Sequence, residues 1–149
     1  MSFSDQHRRK LRSEKSAGQI SWFRWSRSAA IFLQPQIAEQ LFDHLPDIVF
    51  FIKDLAGRYL VVNQTLVERC DAKSKSQILG KDAAQVLGEE LGKRYIEQDQ
   101  QVLNKQQALI QHLELHHFQS QELGWCLTTK IPLHNESGEL TGLIGVSQD

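Results

Sequence analysis

Asp47-Ile-Val-Phe-Phe-Ile-Lys-Asp-Leu-Ala-Gly-Arg-Tyr-Leu-Val-Val-Asn63 is the stretch that decides the fold. Ile48 to Ile52 is a run of β-branched and aromatic residues that favours an extended strand, Asp54-Leu-Ala-Gly57 supplies a turn, and Arg58 to Val62 forms the return strand. The stretch therefore predicts a β-hairpin. Both strands are nearly all apolar, so both faces must be covered. One face falls to the domain's own core, the other to the preceding helix or to a second subunit.

Upstream, Pro35 suits a first helical turn, and Ile37, Leu41 and Leu45 recur every four residues with Ala38 and Phe42 beside them, until Pro46 ends the pattern. This predicts a leading helix over 34–46 with one apolar face. Downstream, Asn63 is a good N-cap for a short helix over 64–69, and Ser74-Lys-Ser-Gln77 reads as a capping box opening a turn that Gly80 closes. A longer helix is expected from about Glu89 to Leu103, with Leu91, Tyr95 and Val102 at helical spacing and Glu90 to Arg94 as a favourable pair. Three strands close the chain: Ala108 to Phe118, Leu123 to Leu133 and Leu140 to Ser147, the last two joined across Asn135-Glu-Ser-Gly138. A leading hairpin and a trailing meander separated by helices predict an α+β fold, an antiparallel sheet with its helices on one face.

The 149 residues make one domain's worth of protein, with a mean hydropathy of −0.40. A bilayer span needs about 20 consecutive apolar residues, and the apolar runs here are far shorter, so no membrane association is expected. The net charge of −1 conceals a division. Residues 1–30 hold seven basic and two acidic side chains, leaving ten basic and sixteen acidic ones for the body. An acidic body argues against direct nucleic-acid binding by this domain, because such affinity comes mainly from Lys and Arg neutralising phosphates. Residues 1–33 read as a basic arm, flexible or partly helical. Its cluster Ile20, Trp22, Phe23 and Trp25 suits docking onto the domain, or an accident of start-site choice, better than an interfacial membrane anchor. Cys70 and Cys126 are too few for a disulfide scaffold or a zinc site, and Arg24 and Arg27 interrupt any signal-like apolar segment. A cytoplasmic location is expected.

Leu45-Pro-Asp-Ile48, Phe51-Ile-Lys-Asp-Leu-Ala-Gly-Arg-Tyr-Leu-Val-Val-Asn63, Ile78-Leu-Gly80 and Gly138-Glu-Leu-Thr-Gly-Leu-Ile-Gly-Val-Ser-Gln-Asp149, in that order, resemble a PAS domain covering roughly 38–149. Asn63-Gln-Thr-Leu-Val-Glu-Arg-Cys70, Arg94-Tyr-Ile-Glu-Gln-Asp99 and Gly124-Trp-Cys-Leu-Thr-Thr-Lys130 resemble, more narrowly, the PAS module placed before an AraC-type helix-turn-helix in bacterial transcriptional regulators. The resemblance implies a PAS domain over 47–149, with a five-stranded antiparallel sheet whose helix-covered face can enclose a small ligand. It implies a leading helix, through Ile37, Leu41, Phe42 and Leu45, that packs on the outer sheet face and serves a homodimer. PAS domains commonly end at an Asp before a helix to an effector, and Asp149 stands at that place, so a DNA-binding output outside these residues is expected. Input to a histidine kinase or cyclic-dinucleotide enzyme, and a ligand-free dimerisation scaffold, are the alternatives.

Known PAS cofactors find little support. The resemblance would place an axial haem His on the helix Glu89 to Leu103, which contains none, and a photoreactive flavin segment Asn-Cys-Arg-Phe-Leu-Gln is absent. Haem and flavin are disfavoured and the cofactor is unknown. His112, Glu114 and His116 share one face of a strand opposite Leu113 and Leu115, but i and i+4 lie ~13 Å apart, too far for one metal ion. A solvated strand face is expected, and no metal. Asp99 lies on or near the apolar stripe of its helix, where a carboxylate must be paired. It reads either as a buried clamp to Lys130 or to Thr128 and Thr129, or as part of a ligand pocket. The candidate pocket residues are Tyr95, Asp99, Phe50, Thr129 and Trp125, although a Trp on a central strand equally suits a core or dimer interface. No nucleophile elbow, phosphate-cradling glycine loop or HExxH occurs, so no catalytic residue is assigned and no enzyme is expected.

Overall fold

The computed structural model describes residues 35–117 and 123–149; the arm expected over 1–33, and Phe118, lie outside these. The predicted hairpin forms from β1 (Ile48–Asp54) and β2 (Tyr59–Val62). Its turn closes on Asp54, whose Oδ1 accepts the Ala56 and Arg58 N–H groups at 2.9 Å each, while Gly57 takes the left-handed conformation at φ 78°. The meander follows as β3 (Leu109–His117), β4 (Leu123–His134) and β5 (Leu140–Gln148). Hairpin and meander become one antiparallel sheet because β5 returns to the centre, pairing with β1 along all of β1 and with β4 on its other side, in the order β2-β1-β5-β4-β3. Gln111, at φ 49°, marks a bulge that shifts the β3–β4 register between Leu109 and His112.

Strand alternation decides which side chains meet the helices. Val49 and Phe51 of β1, Tyr59 and Val62 of β2 and Leu143 of β5 form one core with Leu66 and Val67 of α2 (Gln64–Arg69) and Ile78. Two further helices, α3 (Ala83–Leu87) and α4 (Glu89–Lys105), complete this side, with Val102 and Leu103 of α4 in the core. The leading helix α1 (Pro35–Asp43) packs on the opposite face, where the Phe42 ring stacks on Phe50 with centroids 4.3 Å apart. Asn63 ties the two sides together. Fully buried, it accepts from Phe50 N and Leu66 N through Oδ1 and donates to Ile48 O and Phe42 O through Nδ2, so its amide is saturated.

Two local expectations need correction, and one helix had no expectation. The leading helix stops at Asp43, short of the predicted end at 46, because Pro46 disfavours helical backbone in the residue before it; His44 and Leu45 close with tighter bonds to Leu41 O and Phe42 O. Ser74 makes no capping bond: its hydroxyl meets the Ser76 hydroxyl at 2.8 Å, and a 3₁₀ turn over Lys75–Gln77 follows. The capping box lies at Asp82 and Gln85, each accepting the other's backbone N–H, and it opens α3, a helix the sequence reading passed over. Glycine at 92 lets α4 lie against α3, since a Cβ there would come within 2.4 Å of Ala83 O.

Candidate functional site

The side of the sheet that faces the helices carries buried charge. β1 turns Val49, Phe51 and Lys53 inward, β4 turns Cys126, Thr128 and Lys130 inward, and β3 contributes Glu114 and His116. From α4, Tyr95 and Asp99 share a helical stripe with Val102 and face the same interior. Four ionisable groups, Lys53, Asp99, Glu114 and Lys130, are each no more than 5% exposed.

Asp99 joins the two lysines. Lys53 Nζ donates to Asp99 Oδ2 at 2.5 Å, and Lys130 Nζ lies 2.9 Å from Asp99 Oδ1. Lys130 also donates to Gln98 Oε1 at 3.0 Å and lies 3.6 Å from Glu114 Oε1. Glu114 Oε2 and His116 Nε2 are 3.1 Å apart, a bond that the neutral Nε2–H tautomer makes. The Lys53 ammonium sits 4.3 Å from the Tyr59 ring centroid, a cation–π contact. Thr128 and Ser147 hydroxyls bond at 2.8 Å on the adjacent strands, and Tyr95 OH donates to Leu115 O at 2.7 Å. Two buried carboxylate oxygens, Asp99 Oδ1 and Glu114 Oε1, accept no hydrogen bond from any described residue: Lys130 is close to the first but misaligned, and at 3.6 Å it is out of hydrogen-bond reach of the second.

Burial raises the Glu114 pKa, but the His116 hydrogen bond and the Lys130 charge outweigh it and hold the carboxyl below its ordinary 4.5. Glu114 is therefore ionised at neutral pH. Burial pushes the Tyr59 and Tyr95 phenols up, so both are neutral donors. It also drives the Cys70 thiol to about 12, with the Asp71 charge adding to it, and raises Cys126, whose sulfur accepts from Arg69 Nη1 at 3.2 Å. Neither thiol is poised as a nucleophile.

These groups border an internal cavity of about 30 Å³, room for about two waters. Lys53, Tyr59, Tyr95, Glu114, His116, Lys130 and Ser147 line it, with Val49, Phe51 and Leu66 as apolar wall and Arg69 at one end. Arg69 also reaches Asp47 O and the Asp149 carboxylate at the end of β5. Of the lining groups only Glu114 is a carboxylate; the balance is completed from outside the lining, by Asp99 on the two lysines and by Asp149 on Arg69.

Of the five pocket residues expected from the sequence, Tyr95 lines the cavity, and Asp99, which is not among its lining residues, is buried in ion pairs with Lys53 and Lys130, two residues that are. The other three are corrections. Phe50 lies under α1 on the outer face, opposite in parity to Val49 and Phe51. Thr129 and Trp125 have the parity opposite to Thr128 and Lys130; Thr129 Oγ1 accepts from Gln111 N at the β3 bulge, and Trp125 is 62% exposed beside a shallow groove with Leu91, Leu113 and Leu115. The strand expected to show a solvated polar face is turned the other way: Glu114 and His116 are buried while Leu113 is exposed, and only His112 faces solvent. Among the described residues no cluster of three metal ligands forms. Lys53 was passed over, yet its signal was present: it lies on the parity of Val49 and Phe51 in a strand buried on both faces.

A sequence model of the PAS fold matches residues 42–149. The chain belongs to the PAS family. Its PAS domain superposes on VqmA of Vibrio cholerae, in a structure described as a dimer without target DNA and related to LuxR-type receptors, with a TM-score of 0.65 and 22% identity over 78% of this chain and 52% of that one. VqmA bound to DPO is similar at a TM-score of 0.64 and 22% identity, covering 74% of this chain and 55% of that one. The PAS domain of Bordetella pertussis BvgS superposes with a TM-score of 0.60 and 23% identity, covering 76% of this chain and 84% of that one. The chain thus spans about half the length of the VqmA chains. At these identities the likeness concerns the fold. A search of curated proteins finds no match. Among the described residues no helix is long and apolar enough to cross a membrane.

Proposed function

We propose that this PAS domain is the sensory part of a transcriptional regulator, takes a small polar molecule into the cavity between Lys53, Glu114 and Lys130, and controls a DNA-binding output. The observation that carries the reading is the buried ionic network around a cavity. An apolar core of equal volume is often as stable as a buried ion pair or more so, which leaves stability alone a poor reason for four such charges at one cavity. VqmA, whose solved complexes include DPO and a ligand with DNA, supports a sensor joined to transcription. VqmA is described with LuxR-type receptors, whereas the sequence resembles the PAS module placed before an AraC-type helix-turn-helix, so the output is assigned as DNA-binding without a helix-turn-helix class.

Signal transfer follows from connectivity. Asp99 links α4 to β1 through Lys53 and to β4 through Lys130, and Arg69 connects the cavity wall to Asp149. An occupant that prefers one arrangement of these ion pairs shifts the population of β5 ends held or released by Arg69. The outer face supports a homodimer: Trp125, Leu127 and Ile131 of β4 and Ile37 and Leu41 of α1 are exposed, while Phe42 is taken up by Phe50 and Leu45 is half-buried. Native mass spectrometry of the full chain from its own cytoplasm tests the reading. A dimer carrying a non-covalent small molecule is the expected result; a dimer with no such mass under any preparation favours the ligand-free scaffold instead.

A further inference from the structure

We propose that the cavity selects an uncharged molecule that presents an N–H or O–H donor, and that Glu114 is the residue that reads this donor. The inference rests on the sensor reading above and adds the chemistry of the ligand. Its first ground is charge balance. Lys53 and Lys130 are compensated by Asp99 and Glu114, the first bridging both lysines and the second lying 3.6 Å from Lys130. A charged guest would leave one buried charge without a counter-ion, which is far costlier than burying a neutral polar group. The second ground is the bonding state of Glu114. It lines the cavity, is held ionised, and has one oxygen, Oε1, that accepts no hydrogen bond from any described residue. A buried carboxylate oxygen in that condition is stabilised by any donor brought within reach, and charge assistance makes that bond stronger than one between neutral groups. The third ground is that Lys53 and Lys130, which are donors, line the same cavity. A guest with both a donor and an acceptor can engage Glu114 and a lysine together; one with an acceptor alone leaves Glu114 as it is.

Four planar probes of the same size, each somewhat larger than the two waters the cavity has room for so that the lining must yield equally for all, separate these requirements: acetamide (neutral, donor and acceptor), acetone (neutral, acceptor only), acetate (anion) and acetamidinium (cation). Each is titrated at neutral pH into the isotopically labelled full chain, following amide resonances of Lys53, Glu114, Lys130 and Ser147 by NMR. Acetamide is expected to bind roughly fivefold or more tightly than the other three, as one mispaired buried group costs at least about that factor. Glu114→Gln removes one negative charge, so the same titration should invert the order and favour acetate. Lys130→Gln removes one positive charge and should favour acetamidinium. The spectra report whether each variant is folded, and the ranking in the unsubstituted chain decides the matter if neither is. Equal or tighter binding of acetate or acetamidinium to the unsubstituted chain overturns the neutral-guest rule, and equal binding of acetone overturns the role of Glu114. If no probe perturbs these resonances while a cell extract does, the selection rule fails and the sensor reading stands; if neither does, both fail.

Discussion

Removing the Asp99 carboxylate should destabilise this domain far more than an ordinary surface charge change, and a second substitution should restore it. Lys53 is 1% exposed, and among the described residues its charged hydrogen-bond partner is Asp99, at 2.5 Å. Asp99→Leu leaves the Lys53 ammonium, among the described residues, with the Tyr59 and Phe51 ring faces. Lys130 retains Gln98 and the more distant Glu114. Stripping one partner from a buried pair costs about 3–5 kcal/mol, against a typical domain stability of about 5–15 kcal/mol. At ~4 °C per kcal/mol for a chain of this size, the melting temperature should fall by about 12–20 °C. Lys53→Met with Asp99→Leu replaces both charges by apolar groups of similar shape and should recover most of the loss, because no unpaired ion remains. Urea titration followed by far-UV circular dichroism on the full chain measures all four corners of this cycle. A loss below about 1 kcal/mol for Asp99→Leu, which is the range of an exposed pair, or a double variant as unstable as the two single losses added together, would refute the buried-network account.

Three further perturbations test other parts of the structure. Gly92→Ala should cost about 1–3 kcal/mol in the same urea assay, since the new Cβ would meet Ala83 and Ala84 backbone at 2.4 Å, atoms that cannot move aside; a neutral effect would mean that α3 and α4 are not so closely packed. Glu114 has a folded pKa below its ordinary 4.5, so it stabilises the fold above that pH and the contribution is lost as pH falls through the lowered value. Glu114→Gln should therefore flatten the acid side of the stability profile below about pH 4.5, read from melting temperatures across pH, and an unchanged acid slope contradicts the assignment. Trp125→Glu places a charge on an exposed outer-face position; analytical ultracentrifugation should show a dimer converted to monomer with the melting temperature little changed, whereas an intact dimer removes β4 from the interface.

Much of this fold was readable from strand composition and punctuation. The hairpin from Ile48 to Val62, the Asn63 cap and the closing meander each follow from β-branched runs bounded by turn residues. The helix α3 escaped because five residues, Ala83–Leu87, carry too little periodicity to show a face, although the Asp82 and Gln85 pair marked its start. Parity was legible but its direction was not. Alternation correctly placed Glu114 and His116 on one side of β3 and Leu113 on the other, and hydrophobicity then suggested that the leucine side was interior. The reverse holds: buried ion pairs satisfy the polar side, while Leu113 of β3 and Trp125 and Leu127 of β4 are exposed on the apolar side. The same inversion moved Thr129 and Trp125 out of the pocket. Asp99 was recognisable as a paired buried carboxylate because a lone one on an apolar stripe is too costly; that its pairing would engage Lys53 as well as Lys130 depends on β1 and β4 flanking β5 in one sheet, a long-range arrangement that no local spacing encodes.

The central claim is that the charged cavity is where this domain receives its signal. The most direct measurement is a two-dimensional amide NMR spectrum of the full chain with and without the small-molecule fraction of the cells that produce it. The account predicts saturable shifts centred on Lys53, Tyr59, Glu114, Lys130 and Ser147, which line the cavity, and on Asp149 through Arg69. Shifts confined to Trp125, Leu127 and Ile131 on the outer face, or no shifts from any fraction, would contradict it.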